Sequence, residues 1–254
     1  MSYRLDVELT DSQKAKMADI PAEAWYTSVD FRNAKSPRHP AFERMRRYGG
    51  GEMRRRMLLP WIENSVGDKR VLDLFCANGV FSVEAALAGA REVVGIDFSP
   101  ERVKCAQFLA STLEDKVGCS FSFMAGDVYE LSDLVSEPFD VVLTLGGLYH
   151  VADPPYVLTK IRDLTRERLI VQTEIARISS ILPVPGSWGH FRVRRDRTGE
   201  GLTSIRGGRG VWRLTPGCFR DMLLHAKFRV LESRRPPLLK RRRFPWYCAL
   251  AEPL

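Results

Sequence analysis

The stretch Lys69–Asp97 decides the fold, and it reads KRVLDLFCANGVFSVEAALAGAREVVGID. It opens with a short apolar run, Val71 to Phe75, that carries a single acid, Asp73. The run stops at Cys76 to Gly79, small residues that let the chain reverse tightly. A buried strand that enters a tight loop is therefore predicted here.

A helix and a second strand follow the loop. Good helix formers extend from Val80 to Ala88, and Gly89 stands where a C-terminal cap belongs. The next apolar run, Val93 to Ile96, ends on Asp97. The stretch is thus predicted to form a βαβ unit whose second strand closes on an acid.

Such a unit is suited to hold a nucleoside, because an acid in the position of Asp97 can accept hydrogen bonds from ribose hydroxyls. A dinucleotide would need glycine throughout the loop, so that bare N–H groups reach its pyrophosphate. Phe75 and Ala77 stand where such a cradle needs glycine. A nucleoside without phosphates, such as S-adenosylmethionine, fits the loop better.

Composition narrows the class of protein. The chain has 254 residues, 44% of them hydrophobic, which suits an α/β fold with a core large enough to fold alone. Its first residues lack the apolar core of a signal peptide, and no apolar run reaches the ~20 residues of a membrane helix. We expect a cytoplasmic protein with no membrane partner. The net charge of +8 favours an anionic partner, nucleic acid or small molecule, although solvated surface arginines explain it equally well.

The five cysteines are scattered without C-x-x-C spacing. Neither a disulfide framework nor a zinc site is indicated, and no metal is expected.

Residues 1–64 are predicted to be an N-terminal helical or lid extension. Residues 1–20 are polar and mixed in charge, which suggests a loosely attached helix. Trp25 to Phe31 is aromatic and β-branched, typical of a short strand or of a lid over a ligand. Trp25 and Tyr26 are therefore candidate substrate contacts.

Residues 65–254 alternate predicted strands with predicted helices. Ser99-Pro100-Glu101 is a helix start, with serine as the N-cap and proline at the first helical position. Further strands are expected at 121–125, 139–145, 169–173, 228–232 and 247–251. This alternation predicts an α/β fold with a doubly wound, Rossmann-like sheet.

The fourth predicted strand, Phe139 to Leu145, leads to Tyr149 and His150. Open α/β sheets bind ligands beyond the carboxyl ends of their strands, so these two are the candidate catalytic residues. An imidazole with a pKa near ~6.5 can take a proton from an acceptor hydroxyl at neutral pH. His150 is either that base or a residue that orders the loop by hydrogen bonding.

Asp153 to Tyr156 spell the D-P-P-Y box of amino-group DNA methyltransferases. That box belongs directly after the fourth strand, whereas Gly146 to Ala152 intervene here. An aspartate followed by proline is also an ordinary helix start. A helix N-terminus is predicted at this point, and a DNA-amine site is not.

Residues 175–213 are the longest stretch without regular periodicity and are predicted to be an insertion in the substrate region. Long irregular segments of compact domains are usually functional lids or disordered. Aromatic residues alternate here with arginines, a combination that can stack on and neutralise a planar or anionic acceptor. Trp188, His190 and Arg213 are the candidate substrate contacts.

Asp73 to Gly79 resembles the D-x-G-x-G-x-G loop of class I S-adenosylmethionine-dependent methyltransferases, with Phe75 and Ala77 in place of two glycines. The resemblance implies a seven-stranded sheet with six parallel strands and an antiparallel last strand, and S-adenosylmethionine as cofactor. In that fold the acid after the third strand, here Asp127, reaches the adenine amino group. The implied cofactor contacts are Asp73, Phe75, Ala77, Asn78, Gly79, Asp97, Phe98, Asp127, Val128 and Leu145.

Three further pieces resemble the tRNA wobble-uridine carboxymethyltransferase-like family: Trp25 to Phe31, Gly147 to His150, and Val211-Trp212. In that family the tyrosine of the L-Y-H run helps to hold the carboxylate of a carboxylated donor. The resemblance gives that role to Tyr149 if the donor of this chain is carboxylated.

Three hypotheses of function follow. The first is an S-adenosylmethionine-dependent methyltransferase that acts on an oxygen or nitrogen of a small, anionic or neutral acceptor. The second is a tRNA wobble-uridine modifying enzyme that transfers a carboxymethyl or methyl group. The third is a nucleoside-binding protein without catalysis, suggested by Phe75 and Ala77. The sequence leaves the acceptor and the oligomeric state unknown.

Overall fold

The computed structural model describes residues 2–40, 50–176, 186–193, 210–237 and 245–254. The helices are α1 (Asp11–Ala18), α2 (Gly50–Ser65), α3 (Val80–Leu87), α4 (Pro100–Ser111), α5 (Leu131–Leu134), α6 (Pro154–Asp163) and α7 (Pro216–His225). Short 3-10 helices are η1 (Ala22–Ala24), η2 (Val128–Glu130) and η3 (Leu148–His150). The strands are β1 (Tyr3–Arg4), β2 (Val29–Asp30), β3 (Arg70–Leu74), β4 (Glu92–Asp97), β5 (Ser120–Ala125), β6 (Phe139–Leu145), β7 (Thr165–Glu174), β8 (Gly189–Val193), β9 (Gly210–Leu214), β10 (Phe228–Arg234) and β11 (Trp246–Pro253).

Seven strands form one sheet in the order β10-β11-β7-β6-β3-β4-β5. The pairs β3–β4, β4–β5 and β6–β7 are parallel, and β11 is antiparallel to both of its neighbours, β7 and β10. The predicted α/β, doubly wound, Rossmann-like fold with an antiparallel last strand is confirmed.

By its contacts the chain divides into two compact units, Met1–Gly126 and Asp127–Leu254. The division predicted at residues 64 and 65 stays a prediction.

In the first unit β4 lies between β3 and β5. Asp73 is opposite Gly95 in the register of β3 and β4, and Phe123 is opposite Gly95 on the other side. A Cβ at Gly95 would lie 2.4 Å from the Phe123 ring, so the ring packs where a side chain would otherwise stand. Helix α4 begins as predicted, because the Ser99 hydroxyl accepts a hydrogen bond from the Arg102 amide at 3.4 Å.

The N-terminal segment differs from its prediction as a loosely attached helix. Only Asp11–Ala18 is helical, whereas β1 before it pairs in parallel with β2. Tyr3, Leu5, Val7 and Leu9 are buried in one apolar cluster. The reason is a period of two, since every second residue from 3 to 9 is apolar and the residues between are polar, which is the pattern of an extended chain packed on one side.

The second unit contains β6, β7, β10 and β11 with helices α6 and α7. The Asp153 carboxylate accepts from the Tyr156 amide at 3.1 Å, so the D-P-P-Y sequence caps α6, as predicted. The segment predicted to be irregular contains a regular element, because β8 and β9 pair as an antiparallel hairpin. Ile175 joins this hairpin to the end of β7 through a bridge with Leu214.

Among the described residues no helix combines the length and the apolar character that a bilayer crossing requires. Within those same ranges, no three or more His, Cys, Asp and Glu side chains are grouped so that they could hold a metal ion. The cytoplasmic location stays a prediction.

Candidate functional site

The loop between β3 and α3 has a left-handed backbone at two residues that are not glycine. The angle φ is +60° at Phe75 and +51° at Ala77, and it is +75° at Gly79. A left-handed backbone costs a residue that has a Cβ about 1–2 kcal/mol. Phe75 and Ala77 therefore adopt the conformation that glycine favours at these positions. Strain of this kind persists where the surroundings fix it, and it is concentrated at binding sites.

Gly79 is needed for a different reason. A Cβ there would lie 2.8 Å from the Cβ of Ala106, so the start of α3 packs directly against α4. Gly79 is therefore required by the packing of α4 against the start of α3.

Asp97 holds the loop at the end of β4. Its Oδ2 accepts from the Ala77 amide at 2.9 Å, and its Oδ1 accepts from the Ser99 amide at 3.0 Å. The carboxylate is only 3% exposed, and burial raises its pKa above the ordinary value for aspartate. Within the described part of the chain each oxygen keeps one further acceptor position, because a carboxylate oxygen can accept about two hydrogen bonds. Two free acceptor positions match the two hydroxyls of a ribose.

Asp73 is the second buried acid of the loop. Its Oδ2 accepts from the Ser82 hydroxyl at 2.6 Å, which ties the end of β3 to α3. Burial, and to a smaller extent the nearby Asp97 carboxylate, raise the pKa of Asp73, while Ser82 and Arg54 lower it; the net result is a pKa of about 7. A cation bound near this pair of acids would stabilise their charged forms.

The side chain of Asn78 is hydrogen-bonded to the backbone of Thr27. Its Nδ2 donates to the Thr27 carbonyl at 2.8 Å, and its Oδ1 accepts from the Thr27 amide at 3.2 Å. The side chain is almost fully buried. The side chain thus clamps the loop to a residue 51 positions earlier, and the predicted cofactor contact of Asn78 stays a prediction.

Sequence reasoning missed two arginines of the first unit. The Arg102 guanidinium lies 5.4 Å from the ring centres of both Tyr26 and Phe98, and 3.9 Å from Asp97 Oδ1. Arg54 lies 4.8 Å from the ring centre of Phe81. Position 102 could have been found, because it is in the first turn of the helix that follows Asp97; nothing in the local sequence marks Arg54.

Trp25 and Tyr26 differ in placement. Trp25 is 0% exposed and packs edge-on against Phe108 in the core, with ring centres 6.0 Å apart. This placement argues against a substrate contact by Trp25. Tyr26 is half-buried and faces Arg102, so it lies beside the residues predicted to hold the cofactor.

Three predicted cofactor contacts lie in the second unit. Asp127 caps η2, because its Oδ1 accepts from the Tyr129 amide at 3.0 Å. Val128 and Leu145 are buried apolar side chains at the start of η2 and the end of β6. All three contacts stay predictions.

The candidate catalytic pair lies on η3, directly after β6. The rings of Tyr149 and His150 are 4.3 Å apart between centres, and both residues are half-buried. Strand β9 packs against η3. The Trp212 indole Nε1 donates to the Ala152 carbonyl at 3.2 Å and so fastens the hairpin to this turn.

The hairpin carries aromatic rings that face water. Trp188 and Phe191 are 38% and 39% exposed, and Phe191 lies 4.9 Å from Trp212 between ring centres. His190 is also exposed. Arg213, predicted as a substrate contact, forms a half-buried ion pair with Glu174 at 2.6 Å. This ion pair links β9 to the end of β7. It gives Arg213 a structural role in the second unit.

The sheet, the loop after β3 and the buried acid that ends β4 form an α/β, Rossmann-like arrangement. A family model described as "Methyltransferase domain" matches residues 65–183, a little under half of the chain. The match covers the loop, Asp97, Asp127 and the Tyr149–His150 turn.

Curated relatives have the same chemistry in their names. The chain is 31% identical over 161 residues to the ubiquinone biosynthesis O-methyltransferase of Bordetella pertussis, covering 62% of this chain and 57% of that protein. It is 29% identical over 152 residues to the protein of that name from Chromobacterium violaceum, covering 60% and 56%. The chain thus spans less than two thirds of the length of these relatives.

Solved structures share the fold. The N-terminal domain of EvdMO1, determined with SAH and D-fucose, is 16% identical with a TM-score of 0.65, and the match covers 96% of this chain and 97% of that one. Magnesium protoporphyrin IX methyltransferase from Synechocystis PCC 6803, with bound SAM, is 18% identical with a TM-score of 0.57, covering 85% and 92%. At these identities the solved structures show that the chain shares their α/β fold.

Proposed function

We propose that this protein transfers the methyl group of S-adenosylmethionine to a hydroxyl oxygen of a small molecule. The observation that carries the proposal is the buried Asp97 carboxylate, which fixes the loop at Ala77 and keeps acceptor positions for a ribose. The relatives named O-methyltransferases favour oxygen as the atom that is methylated.

The residues of the first unit fit this donor. Asp97 offers its remaining acceptor positions to the ribose hydroxyls, and Phe98 offers an apolar face beside it. Asp73 and Asp97 are buried acids, and the donor carries a sulfonium and an ammonium charge that would offset theirs. Arg54, near Asp73, is the candidate for the donor carboxylate.

When bound, S-adenosylmethionine supplies an activated methyl group on a sulfonium, so the protein contributes mainly positioning. His150, on the turn after β6, is the candidate to accept the proton of the acceptor hydroxyl. Tyr149 beside it is the candidate to orient the acceptor. A role of His150 in ordering the turn is the alternative, and the two roles differ in the pH dependence of kcat.

The aromatic hairpin is the candidate surface for the acceptor. Phe191 and Trp212 present adjacent rings beside the η3 turn, and Trp188 stands at the base of the same hairpin. Rings in such an arrangement bind planar or apolar acceptors by stacking and burial.

The proposal is tested with the whole protein in two steps. Calorimetry first measures binding of SAH, the product form of the donor. Incubation with methyl-deuterated S-adenosylmethionine and a panel of phenols, catechols and sugars is then analysed by mass spectrometry for labelled products. Labelled methyl ether supports the proposal. If SAH does not bind, the donor assignment is wrong; if it binds and only labelled amines form, the oxygen assignment is wrong.

The other hypotheses stay predictions. A protein that modifies tRNA would bind bulk tRNA in gel shifts with a steep dependence on salt. The arginines at positions 194, 195, 197, 206 and 209, on which that hypothesis relied, lie outside the described residues. A carboxylated donor would be revealed by mass spectrometry of nucleosides that co-purify with the protein. A protein without catalysis would bind SAH and give no labelled product.

A further inference from the structure

The residues around the loop Phe75–Gly79 come from two distant parts of the sequence. Tyr26 and Thr27 lie before α2, yet Thr27 is hydrogen-bonded through both its amide and its carbonyl to the side chain of Asn78. Asn78 sits between Ala77, with φ of +51°, and Gly79, with φ of +75°. The clamp therefore acts on the residue between two left-handed positions of the loop.

We propose that Tyr26–Thr27 is a built-in part of the donor site and that Asn78 is a positioning residue, whose clamp on Thr27 keeps the glycine-poor loop in the shape that binds the donor. This inference rests on the proposed function, because it takes S-adenosylmethionine as the ligand of the loop.

The bonding of Asn78 favours positioning over ligand contact. A primary amide can donate two hydrogen bonds and accept two. Thr27 takes one of each, through its carbonyl and its amide. Asn78 is 1% exposed, so little of it can meet a ligand.

A second link ties the same segment to the acid that faces the ribose. The Arg102 guanidinium lies between the rings of Tyr26 and Phe98 and 3.9 Å from the Asp97 carboxylate. Asp97 in turn accepts from the Ala77 amide. Tyr26–Thr27 thus contacts the loop through Asn78 and reaches its other anchor, Asp97, through Arg102.

The first test is SAH affinity by calorimetry on the full chain with Asn78→Ala and Asn78→Asp. Asn78→Asp keeps an acceptor for the Thr27 amide and loses the donor to the Thr27 carbonyl. Loss of one or two clamp hydrogen bonds is expected to weaken SAH binding about tenfold. Affinity equal to that of the wild-type protein in both variants would overturn the proposal.

The chain contains a matched control. Asn33 makes the same two-bond clamp on Leu9, with its Oδ1 accepting from the Leu9 amide at 2.9 Å and its Nδ2 donating to the Leu9 carbonyl at 2.9 Å. Asn33→Ala is expected to lower the melting temperature and leave SAH affinity unchanged. An equal loss of affinity in Asn33→Ala would show a general effect of stability and would contradict a specific role of Asn78.

A second substitution in the loop tests whether Asn78 positions the loop or contacts the ligand directly. Ala77→Gly removes the cost of the left-handed backbone, so Asn78→Ala combined with Ala77→Gly is expected to recover part of the lost affinity. A residue that touches the ligand would not be rescued in this way, and absence of any recovery would count against positioning.

A measurement on the wild-type protein remains if the variants do not fold. Saturating SAH is expected to slow hydrogen exchange in a peptide that contains Thr27 and to leave a peptide around Leu9 unchanged. Unchanged exchange at Thr27 despite SAH binding would overturn the inference while the proposed function stands. Absence of SAH binding to the wild-type protein would instead refute the proposed function.

Discussion

The backbone amide of Ala77 donates to the side-chain carboxylate of Asp97 at 2.9 Å. This single bond joins the loop after the first strand of the βαβ unit to the acid at the end of its second strand. The acid thereby holds the loop through one oxygen, and under the proposed function its further acceptor positions would meet the ribose of the donor.

Asp97→Asn is expected to weaken SAH binding about tenfold or more, because an amide nitrogen replaces one charged acceptor and hydrogen bonds to charged groups are worth about 1.5–3 kcal/mol. Calorimetry checks this. Asp6→Asn is the control, because Asp6 is an exposed acid that pairs with Arg32 at the surface. Wild-type affinity in Asp97→Asn would refute the ribose assignment.

Ala77→Gly alone is expected to stabilise the protein modestly. Relief of the left-handed backbone contributes about 1–2 kcal/mol, and the greater freedom of glycine in the unfolded chain takes back about 0.4–1 kcal/mol. Urea unfolding should therefore show a net gain between about 0 and about 1.6 kcal/mol. A loss of stability would mean that the Ala77 methyl packs more usefully than its backbone angle suggests.

Sequence reasoning was most successful where the signal is local. The caps at Ser99 and Asp153 and the alternation of strands and helices followed from residues close together in the chain. The clamp joins Asn78 to Thr27, 51 positions earlier in the chain, and no local sequence pattern predicts a contact over that separation. The loop shape was hidden for a related reason, because a phenylalanine gives no hint that its backbone is left-handed.

Two misreadings had a local cause. Residues 3 to 9 alternate apolar and polar side chains, and this period of two is a stronger signal of an extended chain than the mixed charge is of a helix. The hairpin β8–β9 lies in a stretch where glycine, arginine and aromatic residues interrupt the alternation of apolar and polar side chains that predicts a strand. Only the pairing of Phe191 with Trp212 shows that its aromatic residues belong to one surface.

Asp73 is expected to make stability depend on pH. Its pKa is raised from 3.8 to about 7 in the folded protein, chiefly by burial. Below pH 4 the Asp73 carboxyl is protonated in both the folded and the unfolded chain, so its burial does not lower the free energy of unfolding. As pH rises from about 4 to 7 the unfolded chain releases the proton while the folded chain keeps it, so stability falls, and above 7 the penalty is constant. Asp73→Asn should remove this decline, which unfolding curves of both proteins at pH 4.5, 6 and 8 would reveal. Parallel pH profiles would contradict the buried, protonated acid.

Arg55→Met is expected to destabilise the first unit by about 3 kcal/mol, because it leaves the buried Glu84 without its ion-pair partner. Burial raises the pKa of Glu84, and Arg55 opposes that rise. The double variant Arg55→Met, Glu84→Gln should recover much of the loss, since no unpaired charge remains. Urea unfolding of the four proteins of this cycle provides the measurement. A double variant no more stable than Arg55→Met would mean that packing, and not charge, explains the loss.

Trp212→Phe is expected to affect the acceptor and spare the donor. The change keeps an aromatic ring beside Phe191 but removes the indole N–H that donates to the Ala152 carbonyl, so the hairpin is no longer fastened to the turn that carries Tyr149 and His150. A neutral hydrogen bond contributes about 0.5–1.5 kcal/mol, which corresponds to a rise of about 2- to 13-fold in the KM for the acceptor. SAH affinity, measured on the same preparation, serves as the control and should stay at the wild-type value. If SAH affinity falls as much as acceptor binding, the hairpin is not a separate acceptor surface, and the assignment of Phe191 and Trp212 to the acceptor would have to be abandoned.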